Sequence, residues 1–193
     1  MPGMKLSVFP LNAIVCPRGR IPLRIFEPRY VDMVRDCLRN DEPFVVSLLA
    51  PDGRRSQPFY NLGTLVNIVD FGEMYENGIL NIIVEGQVQV SLIDIHLEHD
   101  GLWQAEVKEN KMEPFASMPH EFDDLSIVLK ALIKHPFVQE LDMHINFDDA
   151  REVSWRLTEL LPLGNEQKQK LYECPDPQLR LAKIADQLSD LVE

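Results

Sequence analysis

The sequence holds no apolar run long enough to span a bilayer, no phosphate-binding loop, no nucleophile elbow and few cysteines. Each absence removes a class of function. No stretch approaches the ~18 uncharged apolar residues that a membrane helix needs. The N-terminal apolar segment, Met4 to Val15, is short and interrupted by Pro10 and Asn12, so no signal peptide is expected. Neither Gly-x-x-x-x-Gly-Lys-Ser/Thr nor Gly-x-Ser-x-Gly occurs, which leaves ATP hydrolysis and serine-hydrolase chemistry without their usual groups. The three cysteines, Cys16, Cys37 and Cys174, are odd in number and share no ligand spacing. They read as reduced thiols of a cytoplasmic protein rather than as disulfides or zinc ligands. Cations are also scarce: 19 Lys and Arg face 31 Asp and Glu, a net charge of -12. Such a chain is a poor partner for nucleic acid, whose affinity comes mainly from cations set against phosphates.

The remaining polar residues do not assemble a catalytic pattern. His96, His99, His120, His135 and His144 fall in expected loops or at helix ends, and a metal pair at His96 and His99 lacks helical spacing. Asp123-Asp124 and Asp148-Asp149 stand where helices should begin, and the helix dipole accounts for them without catalysis. The chain is therefore expected not to be an enzyme and to need neither cofactor nor metal.

What is present is an ordinary globular composition, 45% hydrophobic over 193 residues, enough for one core or for two small subdomains. The charge is unevenly spread. Residues 1 to 40 carry seven Lys/Arg against three Asp/Glu. Six of the seven are arginines (Arg18, Arg20, Arg24, Arg29, Arg35 and Arg39), suited to pairing with the acidic remainder or with a bound carboxylate.

The first ~110 residues read as β-structure with one helix inserted. Leu6, Val8 and Leu11, then Ile14 and Val15, give two short runs broken at Pro10 and at Cys16-Pro17-Arg18-Gly19. Ile21 to Phe26 is extended. Pro28 then opens a helix at the position that best tolerates proline, with Glu27 before it and Tyr30, Met33, Val34, Cys37 and Leu38 as one apolar stripe. Further strands are expected at Phe44–Leu49, at 62–71, over 79–95 with a bend or bulge at Gly86, and at 103–107. Lys111 to Pro119, with Pro114 and Pro119, marks a change of period. Four helices follow, around 122–132, 150–161, 165–172 and 177–191, the later ones opened by Asp148-Asp149, Asn165-Glu166 and Asp176-Pro177. Each is too short to stand alone in water and must pack on its neighbours or on the β part.

The string Phe9-Pro10-Leu11, the Pro/Gly turn, and Ile25-Phe26-Glu27-Pro28-Arg29-Tyr30 resemble the opening of the Lon protease N-terminal, substrate-binding domain, particularly in its stand-alone forms. So do Leu62-Gly63-Thr64, Asn77-Gly78, Ile82-Ile83-Val84-Glu85-Gly86, Trp103 to Val107 and the late Arg180-Leu181. The likeness spans nearly the whole chain. It departs after Gly86, where the family often shows a basic residue and this chain has Gln87-Val88-Gln89. The resemblance implies an α+β protein. A curved, PUA-like β-subdomain, a small partly open barrel with one inserted helix, would occupy residues 1–113, and a helical bundle residues 114–193. It also implies a non-catalytic protein-binding module that engages unfolded polypeptide or serves as an adaptor in protein quality control. The alternative is a PUA-like module for RNA or a small ligand. No oligomeric state is implied.

A receptor for unfolded chains needs exposed apolar groups, to which a free strand edge can add. Phe71, Met74 and Tyr75, in the loop flanked by Gly72 and Gly78, are the first candidates, followed by Phe59 and Tyr60; either cluster would otherwise fold back as core. Asp70, Glu73 and Glu76 would make the first site favour cationic, apolar segments. The strand-to-helix corner of Arg24, Glu27, Arg29 and Tyr30 reads first as a structural staple and second as a binding site.

Overall fold

In the computed structural model of the chain, residues 4–51, 57–71 and 79–192 are described. They form two compact units, Met1–Lys111 and Met112–Glu193. The first contains β1 (Met4–Leu11), β2 (Arg20–Ile25), α1 (Pro28–Asn40), β3 (Phe44–Leu49), β4 (Phe59–Phe71), β5 (Leu80–Leu97) and β6 (Trp103–Glu109). The strand order is β2-β5-β4-β3-β1-β6, and β5 also pairs with β6. The pairings β1–β3–β4–β5–β6 therefore return to β1. The ring closes where the sequence suggested a partly open barrel, because β5 is long enough to change partners. Its first part, Leu80–Glu85, lies against β2, and its later part, Val90–Leu97, against β6. All pairs are antiparallel except β1 with β3.

Two cores follow from the alternation of side chains along these strands. Leu6, Val8, Val45, Phe59, Leu65, Val90, Leu92, Ala105 and Val107 fill one. The apolar stripe of α1 (Tyr30, Met33, Val34 and Cys37) packs with Leu23, Ile25, Phe44, Val66, Ile82 and Val84 in the other. The expected bulge at Gly86 is present: Leu65 pairs with Val88 and Val66 with Gly86, leaving Gln87 without a partner residue. Gly86 also exchanges backbone hydrogen bonds with the turn of residues 16–19, through Arg18 N–H to Gly86 O and Gly86 N–H to Gly19 O. A Cβ there would sit 2.2 Å from the Cys16 carbonyl oxygen, so the residue must be glycine for the turn to lie against β5.

Two local readings need correction. Pro10 does not end β1, which continues to Leu11. Beyond Val8 the strand has β3 alone as neighbour, so the missing N–H is tolerated as on an edge strand. Ile14 and Val15 are not a strand. They are buried loop residues, and the Val15 carbonyl accepts the Thr64 hydroxyl.

The second unit contains a 3-10 turn (His120–Phe122), α2 (Asp123–Leu132), the short α3 (Pro136–Gln139), α4 (Ala150–Leu160), α5 (Asn165–Tyr172) and α6 (Pro177–Val192). Asp149 caps α4 by accepting from the Arg151 N–H, and Asp176 accepts from Gln178 and Leu179 at the start of α6. Leu125, Leu129, Val153, Leu157, Leu171, Leu181 and Ile184 form the core. Met112 and Glu113, expected with the first unit, fall in the second, where Glu113 meets Arg180.

Candidate functional site

The first half of β5 carries β2 on one side and the end of β4 on the other, a three-stranded arm. Cross-strand partners share a face. The register sets Leu23 and Phe71 opposite Ile82, Ile21 and Ile68 opposite Val84, and Ile25 opposite Leu80. These side chains lie on the face that meets α1. Arg24 opposite Asn81, Pro22 and Asp70 opposite Ile83, and Arg20 and Asn67 opposite Glu85 make the other face. It is polar and carries an ion pair of 2.7 Å between Arg20 Nε and Glu85.

Around the end of this arm large apolar side chains from both of its faces stand in solvent. Phe71 is 52% exposed and Phe26, directly after β2, is 69% exposed. Val69 is 42% exposed, turned out by a bulge between Ile68 and Asp70. Leu80, opposite Ile25, is half-buried. Asp70 stands beside Phe71, and its carboxylate accepts the Phe71 N–H.

The corner that leads from β2 into α1 is tightly stapled. Pro28 occupies the first turn, as expected, and Glu27 is the N-cap residue. The Glu27 side chain makes no cap hydrogen bond. It accepts instead from Arg29 Nε and Nη2, at 3.0 and 2.7 Å. Arg29 Nη1 donates to the Gly101 carbonyl at 2.5 Å, and its guanidinium lies 4.7 Å from the Tyr30 ring centroid. Tyr30 packs 4.5 Å from Phe9, and burial raises its pKa above 10.0, with Arg29 opposing the shift. Arg24 is exposed and has no ion-pair or hydrogen-bond partner among the described residues.

The candidates named from the sequence thus separate. Phe71 stands at the exposed rim. Met74 and Tyr75 lie outside the described residues. Phe59 is fully buried and Tyr60 nearly so; Phe59 meets Trp103 edge-on at 5.4 Å between centroids. That pair is core, because β4 places Phe59 on the inward face beside Val90 and Leu92. Phe26 was missed, although a signal existed: it falls in the phase of Pro22 and Arg24, out of step with the buried Leu23 and Ile25. Val69 gave no such signal, since its exposure depends on the bulge.

No group of three His, Cys, Asp or Glu placed to hold a metal occurs among the described residues. All three cysteines are buried and none forms a disulfide. No helix of the described residues is long and apolar enough to cross a membrane. In the second unit, the one fully buried guanidinium named in the family-like segment, Arg180, serves packing. It donates to Glu113, to Ser154 Oγ at 3.0 Å, to the Leu171 carbonyl at 2.9 Å and to the Cys174 carbonyl.

Similarity to known proteins agrees with this architecture. A Lon N-terminal domain protein from Xanthomonas campestris superposes with a TM-score of 0.76 at 31% identity, covering 95% of this chain and 98% of that one. The N-terminal domain of Mycobacterium avium complex Lon protease superposes with a TM-score of 0.63 over 97% of this chain and 99% of that one. At 18% identity this second likeness shows the fold alone. Among curated relatives, the protein cereblon of Danio rerio is 31% identical over 106 residues, and that of Gallus gallus 30% over 97. These alignments take in 53% and 49% of this chain, but only 25% and 21% of the cereblon chains. Residues 5–190 match the ATP-dependent protease La (LON) substrate-binding domain, and the chain belongs to that family.

Proposed function

We propose that this chain is a non-catalytic module that recognises polypeptide, either as a receptor for unfolded segments or as an adaptor, and that it works in the cytoplasm. The observation that carries the reading is the exposure of Phe26, Val69 and Phe71 around the end of the arm, in a chain of the substrate-binding family. Large apolar side chains held in solvent on rigid strands are what an apolar partner needs. The sequence beyond Phe71 continues with Met74 and Tyr75, adaptable apolar groups among Glu73 and Glu76. The acids favour cationic over acidic segments.

The test is binding of reduced, carboxamidomethylated lysozyme, an unfolded basic polypeptide, followed by fluorescence anisotropy. Phe26→Ser with Phe71→Ser should weaken binding at least about fivefold while the melting temperature stays within a few degrees, the size expected from losing two exposed aromatic anchors. Unchanged affinity in a folded double variant would remove the rim from the site. No binding by the wild-type chain would reject polypeptide recognition itself.

A further inference from the structure

We infer that the outer edge of β4, Asn67–Phe71, takes an extended apolar and cationic segment as an added antiparallel or parallel strand. The inference rests on the polypeptide-binding reading and specifies its mode. β3 follows β4 only as far as Phe44, opposite Val66. Past that point β4 pairs with β5 on one side and, among the described residues, with no strand on the other. Asn67, Val69, Asp70 and Phe71 are exposed and Ile68 is half-buried.

Open edges are normally blunted by proline or by charge, lysine above all. β2, the other open edge of the arm, follows that rule, with Pro22 between Arg20 and Arg24. The β4 end has no proline and no cation; its one charge is Asp70, whose carboxylate accepts the Phe71 N–H. Its one irregularity is the bulge at Ile68 and Asp70, which takes Val69 out of register with β5 and leaves that side chain outward. Backbone pairing along such an edge tolerates many sequences, as a receptor of unfolded chains requires. Side chains add the preference. Val69 and Phe71 supply apolar area. Asp70 supplies negative charge, and the exposed Asp41 and Glu42 lead into β3, which meets β4 at the Phe44–Val66 pair. The one basic residue next to that segment, Arg39, is paired with Asp36 at 3.3 Å. The occupant is therefore apolar and cationic.

The probe is a soluble fluorescent peptide of about nine residues, a little longer than a typical strand, made of Lys, Val, Thr and Leu. Two further versions carry N-methyl groups on the odd or on the even residues. A strand presents its N–H groups alternately to its two sides, so addition to one edge uses only one series. One methylated version should bind at least about tenfold more weakly and the other within about twofold of the parent. Equal effects, or none, would overturn strand addition. Binding of unfolded lysozyme in the same assay would meanwhile leave polypeptide recognition standing. Asp70→Lys, which places a cation on the edge, should weaken the parent peptide about fivefold with unchanged circular dichroism. Val69→Pro, which removes the backbone donor of the residue that β5 does not pair, should do the same. If Val69→Pro fails to fold, Asp70→Lys and the methylated pair still decide. Methylation asymmetry that is insensitive to both variants would overturn the assignment to β4. A peptide with Glu in place of Lys should bind at least about tenfold more weakly; equal binding would overturn the charge preference.

Discussion

Arg180 shows what a single residue does here. It is fully buried, yet each of its five N–H donors has an acceptor: two on Glu113, one on Ser154, and the carbonyls of Leu171 and Cys174. Those carbonyls lie at and just past the end of α5, where positive charge complements the helix dipole. Removing either partner strands a buried charge. Glu113→Ala and Arg180→Met should each destabilise the protein by about 3–5 kcal/mol, and the double variant by less than the sum, as read from urea unfolding. Cys37 behaves differently. Burial, with Glu42 and Asp36 adding to it, pushes its thiol from 9.0 up to about 11. The folded thiol therefore stays protonated where the unfolded one ionises, so its contribution to stability is complete below pH 9 and is lost between about 9 and 11. Replacing it with Ala should flatten the stability curve in that window. At pH 8 native Cys37 should alkylate far more slowly than in denaturant, as mass spectrometry would show.

Among the elements, α1 was legible because its signals are local. Pro28 fixes the first turn and the 3.6 period of Tyr30, Met33, Val34 and Cys37 defines its buried face. The role of Glu27 was not legible, since its acceptor capacity goes to Arg29 rather than to the helix N–H groups. Arg29 also reaches Gly101, 72 residues away in sequence. It follows that Arg29→Ala should lower stability by about 1–2 kcal/mol, through a lost charged hydrogen bond and its ion pair. Glu27→Ala should cost about 0.5–1 kcal/mol, because an ion pair this exposed contributes little. Thermal unfolding would rank the two, and the reverse order would show that Glu27 caps α1 in solution. β5 taught a similar lesson. Its Gly86 bulge was visible as a glycine within an apolar run, but its exchange of partners from β2 to β6 was not.

At the scale of the whole molecule, charge sets a limit on partners. The net charge of -12 leaves the basic N-terminal segment embedded in an acidic chain. Several of its arginines are already engaged: Arg20 with Glu85, Arg29 with Glu27, Arg35 with Asp32 and Arg39 with Asp36. Anisotropy with labelled single-stranded RNA at 150 mM salt should accordingly show no binding in the micromolar range. Binding that falls steeply with added salt would contradict this and favour the nucleic-acid alternative.

Composition, period and punctuation by themselves determined the α+β class, the change from strands to helices near Pro114 and the helix caps at Asp149 and Asp176, because these depend on residues close together in the chain. Only the tertiary structure decided which aromatics are free. Phe59 and Phe71 begin and end the same strand, yet one is enclosed beside Trp103 and the other stands in solvent. Phe59 falls on the inward face beside Val90 and Leu92, whereas Phe71 lies past Val66, where β3 no longer pairs with β4. Where a neighbouring strand stops is fixed by pairing between distant segments, and no local pattern along β4 records it.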